Sequence, residues 1–297
     1  MTIYSGKHPR AKAPLVPGHE VFGYIESAGS AVQDKYKKGA RVAIYPLISC
    51  GNCVPCKEGS SHVCEKLGVV GIDRDGGFAE FVKVEPHQLV PIPDELSDEQ
   101  AALIEPLSVA VHAGFESGLR TGDVVLVTGG GPIGNLIAQV GRASGARDVL
   151  ISEVKPFRRK LAERLGFRTF DPTQTSGFEA LSSATGQRLA DIVFEATGFP
   201  GVYRDAVDLC KVRGEICFVG IPKTLPNVDV LTIVFKEIRT TSARAYRMRD
   251  YCAAIQLLSR KAVDVLPLIT RIPLHDAPQG FRQMQEAESS LKILLAP

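Results

Sequence analysis

Residues 123–134 read DVVLVTGGGPIG, and this stretch decides the fold. Its first half is a short, almost continuous apolar run, the pattern of a strand covered on both faces. Its second half places Gly129, Gly131 and Gly134 in a G-x-G-x-x-G spacing, with Pro132 and Ile133 between the last two. Alone that string marks only a glycine-rich turn. Between a strand and an expected helix over 133–143 it is a dinucleotide-binding fingerprint. The first glycine allows the tight turn, the second lets backbone approach a pyrophosphate, and the third lets helix and strand pack closely. The helix then presents its unsatisfied N–H groups to the phosphates. Glu153 closes the next apolar run, 19 residues beyond Gly134. An acidic residue there accepts from the ribose hydroxyls and repels a 2′-phosphate, so NAD is expected over NADP. Arg158 and Arg159 follow closely, placed either to contact the ribose side or to accommodate a phosphate.

Working outward, apolar runs alternate with helical patterns. Strands are expected over 148–152, 190–195 and 215–219, and helices over 156–165 and 202–210. Strand–helix repetition of this kind builds a parallel, doubly wound sheet, so the fold class is α/β. Residues 248–261 read as a further helix and 291–295 as a last strand, while 238–242 could form an edge strand that pairs across a two-fold axis. Upstream the texture changes. Residues 14–93 are short strands and loops, with strands expected over 21–27, 41–46 and 77–84. Ser97 and Gln100 form a capping-box pattern that opens a helix. Pro106 disfavours a helical Glu105, so a break is expected at Glu105 and a second helix from Pro106 to about 115.

Composition narrows the function classes. With 297 residues, 44% hydrophobic and 23% charged, the chain is globular and long enough for about two domains. Lys plus Arg (35) minus Asp plus Glu (33) leaves +2, so no strong field draws nucleic acid or an anionic membrane. No apolar run is long enough to span a bilayer, and residues 1–10 lack the apolar core of a secretory signal. A cytoplasmic location is expected.

Four of the seven cysteines crowd into residues 50–64. Cys50, Cys53, Cys56 and Cys64 follow C-x2-C-x2-C-x7-C. Four thiolates on tight loops close a tetrahedron around zinc and leave no open position, which makes the site structural. An iron–sulfur cluster also takes four cysteines and is the rival, and a redox C-x-x-C would need only two at a helix start. His62, inside the lobe, is expected to be exposed. Cys210, Cys217 and Cys252 read as buried small hydrophobes, His112 as a structural histidine, and residues 73–75 (Asp-Arg-Asp) as a solvated turn.

In order along the chain come Gly18-His19-Glu20, the four-cysteine lobe, Glu105-Pro106-Leu107 and GGGPIG. Together they resemble the zinc-containing medium-chain dehydrogenases over essentially the whole chain. EPLSVAVHA (105–113) is most similar to sorbitol, xylitol and related polyol dehydrogenases, and the stretch 153–164 equally to threonine dehydrogenases.

The resemblance implies a GroES-like β domain holding catalytic zinc (residues 1–107 and 247–297) and a Rossmann domain holding NAD (residues 108–246). It implies that His19, Glu20 and Glu105 form the catalytic zinc site, with a glutamate where alcohol dehydrogenase has a cysteine, and one of the two glutamates beside the metal rather than on it. It places Arg158 in the nucleotide site and Val219, Gly220 and Ile221 near the nicotinamide. It implies a homodimer or homotetramer. The expected activity is hydride transfer between NAD and a secondary alcohol, a polyol or sugar acid. A threonine- or butanediol-type dehydrogenase is the alternative substrate class. The family's C-G-x-D motif, which supplies a zinc-ligating cysteine, aligns upstream of Met1, and a relay histidine found in part of the family aligns near Thr2. Two expectations follow from that: an ordinary enzyme whose reading frame starts further upstream, or a short form that binds NAD and structural zinc without turnover.

Overall fold

A computed structural model describes residues 3–286 and 289–297, so Thr2 lies outside the described residues. The chain divides into two compact units, Met1–Ser108 with Arg247–Lys261 and Leu268–Pro297, and Val109–Tyr246 with Ala262–Pro267. The short return 262–267 belongs with the second unit, where the buried Gln139 amide donates to the Asp264 carbonyl (3.0 Å) and accepts from its N–H (2.6 Å).

The first unit is built from short strands. β1 (Phe22–Tyr24), β2 (Arg41–Ile44) and β5 (Leu89–Pro91) form an antiparallel sheet in the order β1-β2-β5, while β3 (Leu47–Ile48) pairs with β4 (Gly68–Val69). A short helix, α1 (Val54–Lys57), lies within the cysteine lobe. Residues 77–84 form no strand despite their alternation: they run as bends and coil, with Phe81 71% exposed. A strand needs a ladder to satisfy its N–H and C=O groups; here only Gly77 and Phe78, at the start, donate to the Gly18 and Pro17 carbonyls, and no described strand pairs with the rest.

Helix α2 (Asp98–Ala102) opens on the expected capping box, with Ser97 and Gln100 bonded reciprocally. The break after it falls at Leu103 rather than Glu105, and α3 (Ile104–Glu116) already includes Pro106. Proline is tolerated there because the first-turn N–H groups have no intrahelical acceptor to lose. Glu105 is thereby a helical residue of the first turn.

The second unit holds a six-stranded parallel sheet. Its strands are β6 (Val124–Thr128), β7 (Asp148–Ser152), β8 (Arg168–Phe170), β9 (Ala190–Glu195), β10 (Cys210–Phe218) and β11 (Arg239–Ser242), in the order β11-β10-β9-β6-β7-β8. Renumbered from β6, this is the doubly wound dinucleotide-binding order, and the strand order reverses between β6 and β9. All five residues of β6 are buried, because helices cover both faces. The helices are α4 (Pro132–Ala143), α5 (Pro156–Arg164), α6 (Gly177–Thr185), α7 (Val202–Leu209) and α8 (Val230–Phe235). Val124, Leu126, Leu150, Val193 and Ile216 anchor one continuous core. β10 starts five residues earlier than expected: Cys210 pairs with Ala190, the register shifts, and pairing resumes at Glu215.

The chain returns to the first unit through α9 (Met248–Ser259). There the Tyr251 hydroxyl donates to the Ile44 carbonyl of β2 (3.0 Å), and its ring meets Tyr45 edge-on. β12 (Ile269–Pro273) and β13 (Lys292–Ala296) pair in parallel, with α10 (Ala277–Glu286) between them in sequence. Cys210 and Cys217 are buried as expected, but Cys252 is exposed, since it lies on the outer face of α9. No helix among the described residues is long and apolar enough to cross a membrane.

Candidate active site and metal centres

The dinucleotide cradle forms where β6 runs into α4. Gly129 has φ 97°, a left-handed conformation that favours glycine. A Cβ on Gly134 would lie 1.8 Å from the Gly129 carbonyl oxygen, so only glycine fits there. A Cβ on Gly131 would meet nothing closer than Arg158 Nη1 at 3.9 Å. That side of the loop is therefore open where backbone must approach a pyrophosphate. Gly131 caps α4 and Pro132 occupies its first turn, so the helix N–H groups point into this space. The loop fits a dinucleotide phosphate.

Glu153 is buried at the end of β7. Its Oε2 accepts from the Gly130 N–H (2.8 Å) and its Oε1 from the Lys155 N–H (2.8 Å), with Arg158 Nη1 3.5 Å from Oε2. The carboxylate thus shapes the loop from the end of β7. The two arginines separate in role. Arg159 is spent on the Glu153 and Val154 carbonyls and on Asp171, while Arg158 stays beside Glu153 and the loop. Val219 and Gly220 donate their N–H groups to the Glu195 carbonyl, both at 2.8 Å, and Ile221 is 86% exposed. Sequence reasoning missed Asn135, whose buried side-chain amide donates to the Gly130 carbonyl (2.8 Å) and braces the loop. A polar residue on the apolar face of α4 was the available signal.

In the first unit, the sulfurs of Cys50, Cys53, Cys56 and Cys64 all lie within 4.8 Å of one another. Cys64 Sγ accepts from the N–H groups of Cys50 and Lys66, both at 3.3 Å. The N–H groups of Asn52 and Cys53 lower the Cys50 thiol to about 6, while burial and its sulfur neighbours push Cys56 up to about 12. Four thiolates at this spacing repel one another unless a cation sits among them, so the donor set fits a closed tetrahedral zinc. His62 is buried rather than exposed, at the centre of the 3-10 turn Ser61–Val63. Residues 73–75 lie in an exposed turn as expected, and Asp73 and Asp75 also accept from the N–H groups of Val69 (2.8 Å) and Val16 (2.9 Å), which fastens the turn to neighbouring loops.

His19, Glu20 and Glu105 converge, each offering a ligand atom within 4.8 Å of the others. The residue before His19 is wedged by the 71–78 loop: Gly77 and Phe78 donate to the Gly18 and Pro17 carbonyls, at 3.0 and 2.9 Å. Glu105 comes from the first turn of α3 and is buried. One imidazole and two carboxylates suit zinc, with one of the two carboxylates able to stand beside the metal instead of on it. Lys292 on β13, which sequence reasoning also missed, forms a close ion pair with Glu20. Burial raises the Glu20 carboxyl, but Lys292 and then His19 outweigh it, and the net direction is down. His19, Glu20 and Lys292 line a cavity of about 1530 Å³ in this unit, together with the rings of Phe22, Phe78 and Phe281. On α3, His112 is buried with Glu116 at 4.0 Å.

Residues 1–94 match the alcohol dehydrogenase GroES-like domain, and residues 132–260 match the zinc-binding dehydrogenases. The chain is 34% identical over 297 residues to a 2-dehydro-3-deoxy-L-galactonate 5-dehydrogenase of Pseudoalteromonas atlantica, covering 99% of this chain and 86% of that protein. It is 35% identical to an L-threonine 3-dehydrogenase of Rhizobium rhizogenes, covering 95% and 81%. A short chain alcohol dehydrogenase from E. coli CFT073, solved with the cofactor NADH, superposes with a TM-score of 0.92 at 29% identity, covering 100% of this chain and 87% of that one. The cradle, the two clusters with metal-ligand donor sets and these relatives agree, and the chain belongs to the zinc-binding alcohol dehydrogenases, medium-chain oxidoreductases that join a GroES-like domain to a Rossmann domain.

Proposed function

We propose that the protein oxidises a secondary alcohol of a polyol or sugar acid with NAD, using a zinc ion held by His19 and Glu105. The observation that carries this reading is the convergence of His19, Glu20 and Glu105 beside a cavity with both polar and aromatic lining. When bound, zinc supplies Lewis acidity to the substrate hydroxyl and NAD supplies the hydride acceptor. The rest is the work of this chain's own residues. His19 and Glu105 hold the metal. Lys292 neutralises Glu20, which keeps that carboxylate next to the metal and turned toward the lysine, so Glu20 tunes the site's charge rather than filling its open position. Phe22, Phe78 and Phe281 exclude water from the substrate's carbon face. Cys50, Cys53, Cys56 and Cys64 hold a second, structural zinc. In the other unit the GGGPIG loop, Glu153 and Arg158 bind the dinucleotide, and Glu153 disfavours a 2′-phosphate. Val219, Gly220 and Ile221 take the nicotinamide half.

Three measurements test this. Two zinc atoms per chain support both centres, whereas one, lost on alkylating the lobe, sinks the catalytic centre and favours a protein that binds NAD and structural zinc without turnover. NADH formation at 340 nm should appear with polyols or sugar acids. Turnover of threonine alone would move the substrate class to the amino alcohols, which the L-threonine 3-dehydrogenase relative favours. Equal affinity for NADP and NAD would remove the role given to Glu153.

The homodimer is the assembly this surface supports. Among the described residues β11 is the outer strand of its sheet with no further strand beside it, and Leu231, Val234 and Phe235 of α8 are exposed, so a sheet edge and exposed apolar side chains lie in one unit. A homotetramer is the alternative, and sedimentation of the purified chain distinguishes the two from a monomer. The reduced cysteine lobe suits the cytoplasm.

A further inference from the structure

Glu195 is the most deeply buried carboxylate of the second unit that the site has not used, with none of its surface exposed. It ends β9 and sits in register with Thr128, the last residue of β6, so it lies at the point where the strand order reverses. Ligands of doubly wound sheets bind outside the strand ends at that point. A buried carboxylate costs stability unless it is hydrogen-bonded, and Glu195 is. Its Oε1 accepts from the N–H groups of Thr197 (2.8 Å) and Gly198 (3.1 Å) and from the Thr197 hydroxyl. Its main-chain carbonyl takes the N–H groups of Val219 and Gly220.

These bonds interlock three loops. The Thr197 methyl would lie 2.9 Å from a Cβ on Gly129, the first glycine of the phosphate loop. A Cβ on Gly220 would meet the Gly198 nitrogen at 2.2 Å and Glu195 Oε2 at 2.5 Å, and one on Gly198 would meet the Ile221 carbonyl oxygen at 2.5 Å. Tyr203 donates its hydroxyl to the Gly220 carbonyl (3.1 Å), and burial and then the Glu195 charge raise its phenol, which keeps it a neutral donor. The turn after β9 therefore touches both the phosphate loop and the loop after β10. Glu153 marks the first mononucleotide half of the sheet as the adenosine side, which leaves β9 and β10, in the second half, to the nicotinamide.

We propose that Glu195 is a positioning residue whose buried carboxylate sets the loop 219–221 against the phosphate loop, and so fixes the seat of the nicotinamide half of the dinucleotide. The proposal rests on the NAD reading above. Its test measures binding, not turnover, on the zinc-loaded full chain. NADH and ADP-ribose, which lacks the nicotinamide, are titrated against wild type, Glu195→Gln and Thr197→Val. Thr197→Val keeps the methyl toward Gly129 and loses the hydroxyl that bonds Glu195 and accepts from the Phe199 N–H. Glu195→Gln should weaken NADH about 10-fold or more and ADP-ribose no more than about 2-fold, and Thr197→Val should weaken NADH about 3-fold in the same selective way. If Glu195→Gln fails to fold, the Thr197→Val ratio decides. Equal losses for the two ligands would assign Glu195 a purely structural role and overturn the proposal, as would unchanged NADH affinity. Wild type that binds neither ligand would instead overturn the NAD reading itself.

Discussion

Two clusters in the first unit gather metal ligands to the same closeness by opposite routes. The lobe of Cys50, Cys53, Cys56 and Cys64 is drawn from fifteen consecutive residues and is all sulfur. The cluster of His19, Glu20 and Glu105 spans most of a hundred residues and mixes nitrogen with oxygen. The first is saturated by its own donors, so a metal there can only hold loops together. The second has three donors and a cation, Lys292, balancing one of them, which leaves room for chemistry. Donor count and locality together separate a staple from a reaction centre.

The comparison breaks most readily at His19. His19→Ala should remove one zinc and lower turnover by roughly 10³-fold or more, because Lewis acidity is worth several kcal/mol. Its melting temperature should move by only a few degrees. Loss of stability with activity intact would reverse the two roles. Cys64→Ser is the mirror experiment. It should also remove one zinc, but it should lower the melting temperature by about 10 °C or more and open residues 50–64 to proteolysis.

A pH measurement sharpens the contrast. In the zinc-stripped chain, Cys50 should alkylate with a midpoint near pH 6, whereas Cys210 and Cys217, pushed to about 12 by burial, stay inert. The sign for stability follows from the lowered thiol. Its contribution is fully present above the ordinary thiol value of 9.0, and it is lost as pH falls through about 6. An alkylation midpoint near 9 would show that the lobe's N–H groups do not hold a thiolate. The smallest effect is expected at Lys292. Lys292→Met leaves Glu20 uncompensated and should cost about 1–3 kcal/mol, and adding Glu20→Gln should recover most of it. Additive losses in the double variant would show that the pair is not coupled.

Legibility followed the reach of each interaction. The Ser97 capping box, the strand–helix alternation and the glycine loop are contacts between near neighbours in sequence, and the structure has them where the pattern places them. Errors arose where a neighbour distant in sequence decides. Residues 77–84 alternate like a strand but have no described strand to pair with. His62 and Cys252 exchanged their expected exposures because burial depends on what packs above a turn or a helix face. The break near Pro106 shifted to Leu103, since a proline in a first turn has no hydrogen bond to break.

The residues alone therefore determined the α/β class, the dinucleotide loop and the four-cysteine lobe, because each depends on spacing within about one turn or loop. Only the tertiary structure decided that α3 carries Glu105 to His19, that β13 brings Lys292 onto Glu20, and that Glu195 ends its strand beside Thr128. Charge pairing and burial act through distance in space, and the chain between such residues is too long and varied for its order to encode that distance.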